Sequence, residues 1–210
     1  MCMRTKLVIV VLLAIGLQAQ VGGQELGDLK RERSYEASFA TGYFTGGTFL
    51  DTRVDGEKVR AKTDDGYLLG ARLGAEEEYL GVELTVAGVF ADMDLDADPA
   101  ADLPKAEDSE MFLLELNGLW YPVGNNLADG RIKPFFTAGP GYALFDSDFG
   151  ADNESLLEVN AGGGIKFLLT EDGNLVLRFD YRWHQFFDTG SDLKNNMYRQ
   201  EISVGIGVRF

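Results

Sequence analysis

His184 is the single histidine of the 210-residue chain, and imidazole is the side chain that most readily exchanges protons near neutral pH. As a general base it would activate a hydroxyl held within hydrogen-bond reach. The first serine downstream is Ser191. A serine two residues on would share a strand face with His184, whereas one seven residues on, in a connection, is under no such constraint. His184 is therefore expected to be a polar side chain near the rim of its element, with hydrolysis as the alternative. Asp92-Met-Asp-Leu-Asp-Ala-Asp98 spaces its carboxylates like a calcium loop. Such a loop places glycine sixth and glutamate twelfth, where this chain has Ala97 and Leu103. The run reads as a solvated acidic extension, and no metal ligand is assigned. A larger set comprises Arg72, Glu83, Glu115, Glu158, Lys166, Arg178, Asp180, Arg182, Arg199, Glu201 and Arg209, each one step out of phase with an apolar run. Charges of both signs placed this way suit an internal ion-pair network, in which burial obliges each group to find a partner.

The elements that must position these charges are strands. The clearest is the last, which carries Tyr198, Gln200, Ile202, Val204, Ile206, Val208 and Phe210 on one face and Arg199, Glu201, Ser203, Gly205, Gly207 and Arg209 on the other. The same period of two predicts strands over 35–43, 67–75, 79–90, 112–120, 132–145, 156–169, 175–184 and 198–210. The connections are then 44–66, 76–78, 91–109, 122–131, 146–155, 170–174 and 185–196. A soluble sheet would bury the oily face and put bulky polar residues in water. Glycines and charges instead fit the narrow interior of a closed barrel with lipid outside. Pro140, within the fifth strand, cannot donate a ladder hydrogen bond, so a bulge or a locally broken pair is expected there.

No interior run reaches the roughly 18 apolar residues of a membrane helix. Leu7 to Leu17 follows Arg4 and Lys6 and precedes Gln18-Ala19-Gln20, the pattern of a secretory signal peptide. It is expected to span 1–19, with cleavage as late as residue 24. Residues 25–34 would form a periplasmic lead-in and 35–210 the barrel. The net charge of −15 becomes −17 without the signal, which carries Arg4, Lys6 and no acid. That acidity excludes the broad basic surface nucleic acid requires. The alternation of short and long connections puts the C-terminus and short turns in the periplasm and the long loops outside the cell. With that topology Tyr35, Tyr79 and Trp120 form a girdle at the periplasmic boundary, and Tyr43, Tyr67, Tyr142, Trp183 and Tyr198 one at the outer boundary.

Asn117-Gly-Leu-Trp-Tyr121, Lys133-Pro-Phe-Phe-Thr-Ala-Gly-Pro-Gly-Tyr142, Ala161-Gly-Gly-Gly-Ile-Lys166, Leu177-Arg-Phe-Asp-Tyr-Arg182 and Ser203-Val-Gly-Ile-Gly-Val-Arg-Phe210 follow one another in a characteristic order. Through them, residues 35 to 210 resemble the OmpA/OmpX-like family of small outer-membrane barrels. The resemblance implies an all-β, eight-stranded antiparallel up-and-down transmembrane β-barrel in the outer membrane of a Gram-negative bacterium. It also implies that Val204, Ile206, Val208 and Phe210 form the C-terminal signal read by the barrel-assembly machinery, after escort by periplasmic chaperones. The expected surroundings are outer-membrane lipid and lipopolysaccharide, the expected state is a monomer, and no cofactor is expected. His184, near the end of the penultimate strand, resembles the catalytic histidine of PagL-type lipid A deacylases, although the closely following serine is missing. The expected function is structural, stabilising the envelope or making surface contacts through acidic extracellular loops. The alternatives are a lipid A-modifying hydrolase using His184 and a narrow pore for small solutes or ions.

Overall fold

A computed structural model describes residues 33–54, 57–97, 107–147, 154–188 and 197–210. The expected signal peptide and most of the lead-in lie outside the described residues. Apolar residues alternating with small or charged ones commit most of the described chain to strands. These are β1 (Ser34–Phe44), β2 (Gly47–Val54), β3 (Glu57–Thr63), β4 (Gly66–Glu76), β5 (Leu80–Ala97), β6 (Glu107–Trp120), β7 (Ile132–Ser147), β8 (Glu154–Leu168), β9 (Leu175–Asp188) and β10 (Met197–Arg209). Eight of them, β1 and β4 to β10, pair in an antiparallel ring that closes between β1 and β10. At the seam Glu36 faces Arg209 and Phe44 faces Glu201, and the backbones of Tyr35 and Phe210 exchange hydrogen bonds of 2.8 and 2.9 Å. Closure matters because hydrocarbon offers no partner to an open strand edge.

The oily face of each strand points outward. Leu84, Phe179 and Val204, from three different strands, are 40%, 46% and 37% exposed and do not meet in a core. Aromatic residues frame this band: Tyr35 stacks on Phe210 at 6.1 Å and Trp120 on Phe136 at 5.7 Å. Tyr43 faces Tyr67 across the β1–β4 ladder at the opposite end. The inward glycines answer to crowding. A Cβ at Gly207 would stand 2.5 Å from the Ala37 carbonyl oxygen, and one at Gly42 would stand 2.5 Å from that of Ile202. The β1–β10 seam therefore closes only with hydrogen at those positions.

Pro140 breaks one ladder and spares the other. On the β8 side Gly139 and Pro140 stay paired with Asn160 and Val159. On the β6 side the register runs from Glu115–Gly141 to Gly118–Ala138 with nothing paired between, so the ladder is interrupted without a bulge. Replacing Pro140 with valine is expected to restore one hydrogen bond and stabilise the barrel by about 0.5–1.5 kcal/mol. The measurement is the urea midpoint of refolding into phosphatidylcholine vesicles, and an unchanged or lower midpoint contradicts it.

The connections at the long-loop end are more ordered than the pattern predicts. The stretch 44–66, expected to be a polar connection, contains the β2–β3 hairpin, and β3 pairs with the far end of β5 from Val59–Ala97 to Thr63–Met93. The acidic segment 91–109 is likewise strand at both ends, β5 and β6 staying paired out to Met93–Glu107. β9 also runs past His184 to Asp188. The β3 sequence, Glu57-Lys-Val-Arg-Ala-Lys-Thr63, offers no sustained apolar alternation for a period-two reading to find. Ladder hydrogen bonds need only extended backbone and a neighbour.

Candidate functional site

The site is the barrel interior. Among the described residues, seven acids (Glu36, Glu76, Glu83, Glu115, Glu158, Asp180, Glu201) and six bases (Arg72, Lys133, Lys166, Arg178, Arg182, Arg199) are buried there together with His184. Period two aims each of them inward, and cross-strand register sorts them into tiers.

The lowest tier, beside the short turns, centres on Glu76. Its carboxylate accepts from Lys133 Nζ at 2.9 Å, Lys166 Nζ at 3.1 Å and the Tyr121 hydroxyl at 2.5 Å. Lys166 also donates to Glu36 at 2.6 Å. Arg209 reaches Glu76 at 3.4 Å and remains a quarter exposed. Leu119 and Phe135 wall this tier, and Lys133 lies 4.6 Å above the Tyr121 ring.

The middle tier is an arginine lattice. Arg178 pairs with Glu83 and donates to Asp180 at 2.7 and 2.8 Å, with its guanidinium over the Phe135 ring. Arg182 bridges Glu83 at 2.7 Å and Glu115 at 2.8 Å. Arg72 ties Asp180 at 3.1 Å to Glu201 at 2.9 Å and to the Ser203 hydroxyl at 3.0 Å. Planar guanidinium forks can hold two carboxylates at once, which makes arginine the residue suited to such a lattice.

In the upper tier three carboxylates surround His184. Its Nδ1 lies 2.5 Å from Glu158 Oε1 and 3.6 Å from Glu115 Oε1, and its Nε2 lies 3.2 Å from Glu201 Oε2. His184 is 0% exposed, which corrects its expected place at the rim. Extension of β9 past residue 184 puts another inward layer above it. That layer is apolar: Phe44, Leu68, Ala87, Val89, Leu113, Ala143, Leu156, Phe186 and Met197 form one cluster. The Phe44 and Phe186 rings lie 5.1 and 6.4 Å from the imidazole. At the same end the Tyr43 hydroxyl and the Gly46 N–H donate to Asp65, which lies between β3 and β4. Chiefly the bond from Tyr43 holds that carboxyl below its ordinary range.

Ten of the eleven charges selected for the network from the sequence are buried in this interior, the eleventh, Arg209, being a quarter exposed at its lower end, and Arg199, on β10, is the cross-strand partner of His184. The girdle residues Tyr35, Tyr43, Tyr67, Tyr79, Trp120, Tyr142, Trp183 and Tyr198 are exposed, as are Val204, Ile206, Val208 and Phe210. Sequence reasoning missed Glu36, Glu76, Lys133 and Tyr121. Glu36 and Lys133 are in phase with the inward residues of their strands and could have been found. Glu76 fell in the connection 76–78 and Tyr121 between the expected strand end at 120 and the turn from 122, where period two was not applied. It also missed the apolar layer. Asp92 to Ala97 belong to β5 as extended, paired backbone, and Ser191 and Asp98 lie outside the described residues.

Comparison with known proteins agrees with this architecture. Over 86 residues the chain is 34% identical to the 25 kDa outer-membrane immunogenic protein of Brucella abortus biovar 1 (strain 9-941), a stretch covering 38% of this chain and 39% of that one. Neisserial surface protein A superposes with a TM-score of 0.56 at 15% identity, over 84% of this chain and 97% of the other. OprG of Pseudomonas aeruginosa superposes with a TM-score of 0.57 at 17% identity, over 85% and 95%. These two likenesses speak to the fold. The model of the outer membrane protein β-barrel domain matches residues 7–210, and this chain is an outer-membrane β-barrel protein belonging to that family.

Proposed function

We propose that the protein is a non-conducting outer-membrane barrel whose closed body supports contacts made by the connections at its long-loop end. The observation that carries this reading is the filled lumen, an ion lattice from Glu76 to His184 under an apolar layer from Phe44 to Met197. An eight-stranded barrel is just wide enough for side chains to fill it. A hydrated path would have to cross both the dry layer and the paired charges. The short turns and C-terminus face the periplasm and the long connections face outward, following the rule for bacterial barrels. Lipid and lipopolysaccharide surround the monomer. Val204, Ile206, Val208 and Phe210 are displayed outward on β10 for the barrel-assembly machinery, to which chaperones deliver the chain after removal of residues 1–19. The Brucella relative is named as an immunogen, which fits surface display of such connections.

The hydrolase reading has less support. A general base needs a nitrogen that faces its nucleophile, whereas both nitrogens of His184 face carboxylates, with no hydroxyl beside them among the described residues, in a site closed to solvent. The chain reconstituted in planar lipid bilayers is expected to show no sustained conductance. A stable open channel overturns the proposal.

A further inference from the structure

We propose that Glu115, His184 and Glu201 form a buried binding site for one divalent transition-metal ion of the zinc class inside the lumen. The ligand set is built from below. Glu115 Oε2 accepts from Arg182 at 2.8 Å and from Asn117 Nδ2 at 3.0 Å. Glu201 Oε1 accepts from Arg72 at 2.9 Å and from the Ser203 hydroxyl at 2.5 Å. Each carboxylate is thus fixed by one oxygen, and the other is turned toward the imidazole: Glu115 Oε1 is 3.6 Å from Nδ1 and Glu201 Oε2 is 3.2 Å from Nε2. One ligand atom from each of the three residues lies within 4.8 Å of the others. Metal–ligand bonds of about 2.0–2.2 Å span that separation with small side-chain rotations.

A second observation supports a ligand here. Glu158 Oε2 and both amide atoms of Asn160 are buried without a hydrogen-bond partner, and Asn160 is 0% exposed, while His184 Nε2 faces Glu201 Oε2 at 3.2 Å without a hydrogen bond. Asn160 is also the cross-strand neighbour of His184. Glu158 Oε1, 2.5 Å from Nδ1, supplies the outer carboxylate that commonly orients a metal-bound imidazole and keeps the proton on the far nitrogen. Nε2 is then free to ligate. A donor set of one imidazole and two carboxylates suits zinc and its neighbours over calcium. Any second proton on the imidazole leaves as the ion binds. Because the apolar layer seals the site, the ion enters as the barrel folds and exchanges slowly afterwards.

The test is to fold the full chain into phosphatidylcholine vesicles with and without equimolar zinc, dialyse, and measure bound metal by mass spectrometry and the urea midpoint. One zinc per chain and a raised midpoint are expected. Cobalt in place of zinc should give the visible absorption of a four- or five-coordinate site. Glu115→Gln and His184→Gln should each lose the metal and the zinc-dependent shift. If either fails to fold, the wild-type midpoint with and without zinc still decides. No retained zinc together with an unchanged midpoint overturns the site. Retention that survives Glu115→Gln but disappears on combined Asp92→Asn, Asp94→Asn and Asp96→Asn also overturns it, showing an adventitious ion only, held by the acidic end of β5.

Discussion

Glu83→Gln is expected to destabilise the folded barrel by about 3–5 kcal/mol, the cost of removing one partner from a buried ion pair. Glu83 is shared by Arg178 and Arg182, whose side chains are both fully buried. Asp180 lies beside the same two arginines, and Arg182 also holds Glu115. Asp180 and Glu115 are already engaged by these arginines, so neither supplies a replacement for the lost carboxylate. Refolding into vesicles across a urea series, followed by heat-modifiable gel migration, reads the effect as a lowered midpoint. Glu83→Gln combined with Arg178→Met should recover part of the loss, because it removes a buried guanidinium that has lost one of its two carboxylates. A wild-type midpoint for the single variant would mean that water reaches this tier, and the filled-lumen reading would fail with it.

Leu84→Arg is expected to cost about 2–4 kcal/mol, the penalty for a cation facing lipid near the bilayer midplane. Leu84 faces outward, between Leu73 on β4 and Leu116 on β6. Its neighbour Thr85 faces inward and is buried. The same vesicle assay applies, with Leu84→Val as the control that keeps the surface apolar and should stay close to wild type. In a water-soluble barrel an outward Leu84→Arg would be near neutral, so the size of the loss also tests which solvent the outer face meets. A midpoint within about 0.5 kcal/mol of wild type, the range of ordinary surface substitutions, would place Leu84 outside the hydrocarbon.

Taken residue by residue, the fold was legible wherever one face of a strand is oily. Tyr198 to Phe210 declares its two faces without help, because side chains alternate rigidly along an extended backbone. The same rule predicted the eight crossing strands, and the missing N–H of Pro140, a local fact, predicted a bulge or a broken pair, of which the structure has the second. It was blind to β2 and β3, whose ladder needs a partner but no apolar face, and to the far ends of β5 and β6 beyond the band that lipid selects.

The sequence by itself determined which way each side chain points, inward or outward, and therefore that Glu83, Arg178 and Glu201 would be inside and Leu84, Phe179 and Val204 outside. Only the tertiary structure decided which inward residues meet. Arg72 reaches Asp180 and Glu201 from across the barrel, and His184 comes to lie between Glu158 and Glu201, beneath Phe44. The physical reason is that facing is a property of one backbone with a period of two, whereas contact across a lumen depends on the stagger accumulated around eight strands. That stagger is set by ring closure and cannot be read from any one strand.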